Sequence, residues 1–212
     1  MLTAPPKNIV VLASGSGSNF QALANQPEIR PYISALICNR PGAGCLSRAA
    51  DLGIATRTLD HQVFDDRESF DSALGDVIEE TGAEWIVLSG FMRILGDAFM
   101  QRFEGKILNI HPSLLPKYKG LNTHQRAIDA GDTEAGVTVH WATAELDGGP
   151  LIAQRKVRID ANDCAESLRE KVLIQEHQLY PAVISALIHN ELDYEGGHTL
   201  FQGNEIKALD LF

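Results

Sequence analysis

Ile9-Val10-Val11-Leu12-Ala13-Ser14-Gly15-Ser16-Gly17-Ser18-Asn19 joins a wholly apolar run to a glycine-rich turn, and the turn opens a stretch with apolar residues at helical spacing. A short apolar run bounded by turn chemistry reads as a strand buried on both faces. The pairing recurs along the first half of the chain. Ile33–Cys38, Trp85–Ser89 and Ile107–Ile110 are further strand candidates, and Asn19–Asn25, Leu46–Leu52 and Phe64–Glu80 lie between them with helical periodicity. Such alternation predicts an α/β fold, a mainly parallel twisted sheet with helices on both faces. Ligands of these sheets collect at the carboxyl ends of the strands, so chemistry is sought just after each apolar run.

The second half reads differently. His111–Gly131 is loop-rich, and Gly136–Ala142 and Leu151–Ile159 are strand candidates with the turn residues Asp147-Gly148-Gly149-Pro150 between them, an antiparallel C-terminal part. A long helix is expected from about Asp163, with Leu168, Val172, Leu179, Val183 and Leu187 along one side. Pro181 should kink it, because an interior proline costs roughly 3 kcal/mol. Gly196–Phe212 carries no pattern, and there is no internal repeat. The chain is expected to be one domain, 1–212, with an N-terminal half at about 8–105, a C-terminal half at about 106–190 and a short tail over 191–212.

A length of 212 residues buries a sizeable core without staples. The formal net charge of −10, without a block of Lys or Arg, argues against a nucleic-acid partner but leaves room for a small anion. Cys38, Cys45 and Cys164 are odd in number and lack C-x-x-C spacing, which fits neither a disulfide framework nor a common zinc site and points to a reducing compartment. Met1–Lys7 has no apolar signal core, and no apolar run is long enough for a bilayer. A cytoplasmic protein with no membrane partner is expected.

In the turn after the first strand, glycines let a backbone approach a ligand, and the N–H groups at a helix start attract an anion. Ser18 is a candidate cap, and a phosphate fits the loop. A dinucleotide fingerprint would need glycine where Phe20 stands and an acidic ribose anchor where the next strand ends in Cys38-Asn39-Arg40. No Gly-Lys-Ser/Thr of a Walker loop is present. The plain alternative is a tight strand–helix turn without a ligand.

Lys106–Pro116 reads K-I-L-N-I-H-P-S-L-L-P. On a strand, Asn109 and His111 share a face, at a carboxyl end closed by Pro112. An amide donor beside an imidazole suits acyl transfer, since both can stabilise an oxyanion. Asp147 has a plain reading as a turn former. If it meets His111, its carboxylate would raise the imidazole pKa and keep the ring charged near neutral pH. No serine or cysteine nucleophile with a base stands nearby.

Together, S-G-S-G-S-N, G-F-M-R-I-L (Gly90–Leu95), N-I-H-P-S-L-L-P-K-Y, E-L-D-G-G-P and Q-E-H-Q-L-Y-P (Gln175–Pro181) closely resemble the glycinamide ribonucleotide formyltransferases of purine biosynthesis, over about Asn8 to Glu191. The resemblance implies a Rossmann-like formyltransferase fold and transfer of a formyl group from 10-formyltetrahydrofolate to the amine of glycinamide ribonucleotide. It implies direct amine attack through a tetrahedral intermediate, with no metal and no covalent enzyme species. By the same resemblance Asn109 and His111 would polarise the formyl carbonyl, and Asp147 would raise the pKa of His111 and help move protons. Gly17, Ser18 and Asn19 match phosphate-binding positions, Glu176 a contact to the glycinamide end, and Met92 a position lining both substrates. Arg67, Met92, Arg93, Ile94, Leu95, Asn109, Thr143, Ala144, Glu145, Leu146 and Asp147 match the folate pocket. His140, on a predicted strand, is read as structural.

Three positions depart from the family pattern. Lys119 replaces the proline of K-Y-P-G, leaving a looser loop or an added phosphate contact. Asn122 replaces a histidine, and Leu173 stands where a glutamine often contacts substrate. A formyltetrahydrofolate hydrolase would share the triad but usually carries an N-terminal regulatory domain. A methionyl-tRNA formyltransferase would need a further C-terminal domain and a basic surface. A non-catalytic nucleotide- or folate-binding module would leave the Asn/His/Asp set unexplained. A monomer or homodimer is expected, with small molecules as its partners.

Overall fold

The structure, a computed structural model, describes residues 5–208; residues 1–4 and 209–212, which hold the start of the N-terminal stretch and the end of the tail, lie outside the described residues. The first half alternates as its periodicity predicts: β1 (Ile9–Ala13), α1 (Ser18–Ala24), β2 (Ile33–Cys38), α2 (Gly44–Asp51), β3 (Thr56–Thr58), α3 (Arg67–Glu80), β4 (Trp85–Leu88), α4 (Asp97–Arg102) and β5 (Ile107–His111). Then come α5 (Thr123–Asp129), β6 (Glu134–Trp141), β7 (Leu151–Arg158) and α6 (Ala165–Ile188).

The main sheet has the order β3-β2-β1-β4-β5-β6-β7. The first five are parallel, while β6 runs antiparallel to β5 and β7 antiparallel to β6. Strand alternation feeds two cores. Ile9, Val11 and Ala13 point to the face covered by α1, α2 and α6, and Val10 and Leu12 to the face covered by α3 and α4. The sheet order reverses between β1 and β4, and in doubly wound sheets ligands bind at the carboxyl ends of such a pair.

Several elements differ from expectation. β3 was hidden because Thr56-Arg57-Thr58 is a half-exposed edge with no apolar run. The short helix α5 lies in the stretch read as loop-rich, and α4 lies where no element was expected. As expected, Pro181 falls within the long helix α6, where it is buried. The tail is structured: β8 (Leu192–Glu195), β9 (His198–Phe201) and β10 (Asn204–Ile206) form an antiparallel sheet. It docks through Thr199, whose hydroxyl accepts from Trp141 Nε1 at 3.0 Å and donates to the Leu151 carbonyl at 2.8 Å. All three cysteines are free thiols, Cys38 and Cys45 buried and Cys164 exposed. Among the described residues no helix is long and apolar enough to cross a membrane.

Candidate active site

Asn109 and His111 end β5 on one face, and the loop between β6 and β7 brings Asp147 to both. His111 Nδ1 lies 3.4 Å from Asp147 Oδ2, and Asn109 Nδ2 donates to Asp147 Oδ1 at 3.4 Å. The second carboxylate oxygen also accepts the Gly120 N–H at 2.8 Å. Asp147 holds φ at 48°, a left-handed conformation uncommon outside glycine. Gly148 and Gly149 follow because their neighbours leave no room: a methyl group on Gly149 would overlap the Trp141 carbonyl. The turn is tight enough to aim the carboxylate back at the sheet.

The electrostatics correct one expectation. Burial pushes the His111 imidazole below its ordinary range, outweighing the lift from the Tyr118 carbonyl and from Asp147. Desolvation penalises the charged ring more than one carboxylate at 3.4 Å restores it. The ring's other nitrogen, Nε2, donates to the Tyr118 carbonyl at 2.9 Å. A new proton must therefore enter at Nδ1, facing Asp147. For Asp147 itself, burial pushes upward, but His140, the Gly120 N–H and His111 together hold the carboxyl below its usual value.

His140 is more than the structural residue expected. It lies opposite Asn109 across the β5–β6 pair, and its Nε2 is 3.1 Å from Asn109 Nδ2 and 3.7 Å from Asp147 Oδ1. Its Nδ1 faces the Trp141 carbonyl at 2.9 Å, which can only accept, so in the neutral ring Nε2 is left to accept from the amide. Both N–H groups of Asn109 thus point at partners inside the site. Thr138, also missed, is fully buried and ties down the loop after β5 by accepting from the Leu115 N–H at 3.0 Å and donating to the Ser113 carbonyl at 2.6 Å.

At the glycine loop, Gly17 takes the left-handed conformation at φ 75° and is itself the N-cap of α1, so Ser18 begins the helix rather than capping it. A methyl group on Gly17 would lie 2.6 Å from Cys45 Cβ, so packing of α2 requires this glycine as well as any ligand. Asn19 Nδ2 donates to Glu176 Oε2 at 2.7 Å, which joins the loop to α6. Burial raises the Glu176 carboxyl above its ordinary value. The buried Asn19 Oδ1 has no protein partner among the described residues.

Met92, Arg93, Ile94 and Leu95 form an irregular segment between β4 and α4, with Met92 and Ile94 exposed. Arg67 opens α3 as an exposed residue near Gly96. Thr143, Ala144, Glu145 and Leu146 precede Asp147, and Leu146 is exposed beside Gly120. Lys119 pairs with Glu145 at 2.7 Å, a contact between the two loops. Asn122 caps α5 in a left-handed conformation.

A glycine-rich turn after β1 and an amide–imidazole–carboxylate cluster at the end of β5 stand on a doubly wound sheet, the frame of an enzyme that transfers a small group. The chain belongs to the formyl transferase family, whose profile matches residues 7–184. It is 48% identical to the phosphoribosylglycinamide formyltransferase of Escherichia coli K12 over 84% of this chain and 85% of that one. It is 41% identical to the human trifunctional purine biosynthetic protein adenosine-3 over 83% of this chain and 18% of that much longer one. A solved phosphoribosylglycinamide formyltransferase from Coxiella burnetii, in complex with CHES, superposes with a TM-score of 0.90 at 42% identity over 96% of this chain and 99% of that one.

Proposed function

We propose that this enzyme transfers the formyl group of 10-formyltetrahydrofolate to the amine of glycinamide ribonucleotide. The observation that carries the reading is the convergence of Asn109, His111 and Asp147, an amide, an imidazole and a carboxylate within 3.4 Å contacts at the end of β5. The glycine loop would take the phosphate, and Glu176, tied to Asn19, would face the glycinamide end. Arg67, Met92–Leu95 and the loop Thr143–Asp147 would hold the folate.

The amine attacks the formyl carbon, a C–N bond forms, and the bond from that carbon to the folate nitrogen breaks. Asn109 donates to the developing oxyanion, and its long 3.4 Å contact to Asp147 is the one a substrate oxygen displaces. The amine's proton must reach the departing nitrogen, and the His111–Asp147 pair can relay it. The same reading makes the partners small molecules and the location cytoplasmic. Folate absorbance, followed with and without glycinamide ribonucleotide, tests it. Loss of the formyl group only when the amine is present is expected. Amine-independent loss would mean hydrolysis, and no loss would mean binding alone.

A further inference from the structure

Asp71, on α3, is buried at 4% exposure beneath the segment that follows β4. Its Oδ2 accepts the Gly96 N–H at 2.7 Å, and Oδ1 has no partner among the described residues. At the segment's other end the Ser14 hydroxyl, also buried, accepts the Met92 N–H at 2.8 Å and donates to Asn39 at 2.6 Å. Between these two ties, the backbone N–H and C=O groups of Arg93, Ile94 and Leu95 make no hydrogen bond among the described residues. A run of peptide groups this free, fixed at both ends by buried side chains, is poised to pair with a ligand.

The arginines around it follow the same plan. Asp71 attracts both Arg67 and Arg93, yet neither is hydrogen-bonded to it, and the Arg93 guanidinium lies over the Phe70 ring at 4.5 Å. Arg93 Nε is buried without a partner. Burial raises the Asp71 carboxyl, so keeping a charge there works against stability. A group kept at such a cost has its return elsewhere.

We infer that Asp71, with Ser14 at the opposite end, is a positioning residue that holds Met92–Leu95 and the two arginines in the shape that receives folate. The inference rests on the folate reading of this segment. It is tested by steady-state kinetics of the full chain with both substrates varied, alongside thermal melts. Asp71→Ala should raise the folate KM about 10- to 100-fold, the weight of one buried hydrogen bond to a charged group. The glycinamide ribonucleotide KM should stay within twofold. Asp71→Asn, whose amide oxygen still accepts from Gly96, should give a smaller rise with Tm unchanged or higher. Ser14→Ala should also raise the folate KM, and it supplies a second reading if Asp71→Ala does not fold.

Ile94→Lys separates the two claims, since Ile94 is exposed and outside both ties. If Ile94→Lys raises the folate KM but Asp71→Asn and Ser14→Ala do not, the positioning role is wrong and the folate reading stands. If Ile94→Lys leaves it unchanged, the folate reading of this segment fails and takes the inference with it. A parallel rise of both KM values with a falling Tm would reduce Asp71 to a fold residue.

Discussion

Asp147→Asn keeps the side chain's shape and an oxygen for the Gly120 N–H, but removes the charge 3.4 Å from His111 Nδ1. At an effective dielectric of about 20, unit charges at that separation attract by about 5 kcal/mol. Burial offsets part of this, as the net downward push on His111 shows. About 3 kcal/mol of transition-state stabilisation remains, the typical loss when one preorganised electrostatic partner is removed. kcat should therefore fall on the order of 100-fold, with the folate KM within about threefold. The pH profile adds a signed test. Asp147 lifts the His111 pKa, so the variant's imidazole titrates lower. If the charged ring is the active form, the limb along which kcat falls with rising pH moves toward lower pH. Folate absorbance at saturating substrates from pH 5 to 9 reads both effects. A kcat within fivefold of the parent, or a limb moved upward, would refute the pairing as a working unit.

Glu176→Gln keeps an acceptor for Asn19 but loses the charge, and should raise the glycinamide ribonucleotide KM about tenfold with the folate KM unchanged. Equal changes in both would remove Glu176 from the substrate site. Gly17→Ala meets both a left-handed backbone and Cys45, so a loss of about 2 kcal/mol or more is expected in denaturant melts, with a raised glycinamide ribonucleotide KM. A melt like the parent's would show that α2 yields. Burial lowers the imidazoles of His111, His124 and His177, so their stabilisation is present above the unfolded value of about 6.5 and is lost as pH falls below it. Asp71 and Glu176, raised by burial, act in the opposite direction at lower pH. Tm should therefore hold from pH 8 to about 7 and drop as pH falls below about 6.5, and His124→Gln should flatten the drop; a flat parent profile would contradict the burial argument.

Much of the fold was legible because buried parallel strands are almost wholly apolar. Ile9–Ala13 and Ile33–Cys38 match the observed strands residue for residue. What escaped lacks that signature. β3 is polar and half-exposed, and the tail strands Leu192–Glu195 and His198–Phe201 are short, partly exposed and paired to each other across Gly196-Gly197, with Thr199 tying them to Trp141 and Leu151. Spacing placed Asn109 beside His111, but nothing local could place Asp147 there, because its position depends on a left-handed turn folding back against Trp141. His140 was passed over for a related reason: only its register against Asn109 shows that it belongs to the site. Charge state was the least legible, since the sequence gives a partner's sign but not the depth of its burial.

That last point bears on how His111 can work. Its imidazole has an acceptor at each nitrogen, the Tyr118 carbonyl and the Asp147 carboxylate, and this arrangement favours the doubly protonated ring. Burial opposes it and holds the balance on the neutral side. With contributions of opposite sign acting on it, the ring's protonation state responds to a third charge brought near. An oxyanion developing nearby would favour the charged ring and push its pKa upward. The ring would then bind its proton most strongly when the formyl oxygen becomes negative and release it as the carbonyl re-forms. A histidine charged throughout would instead stabilise ground state and transition state alike, which does little for kcat. In the proposed mechanism, burial keeps His111 from being charged throughout, and Asp147 supplies the opposing lift to which substrate charge would add.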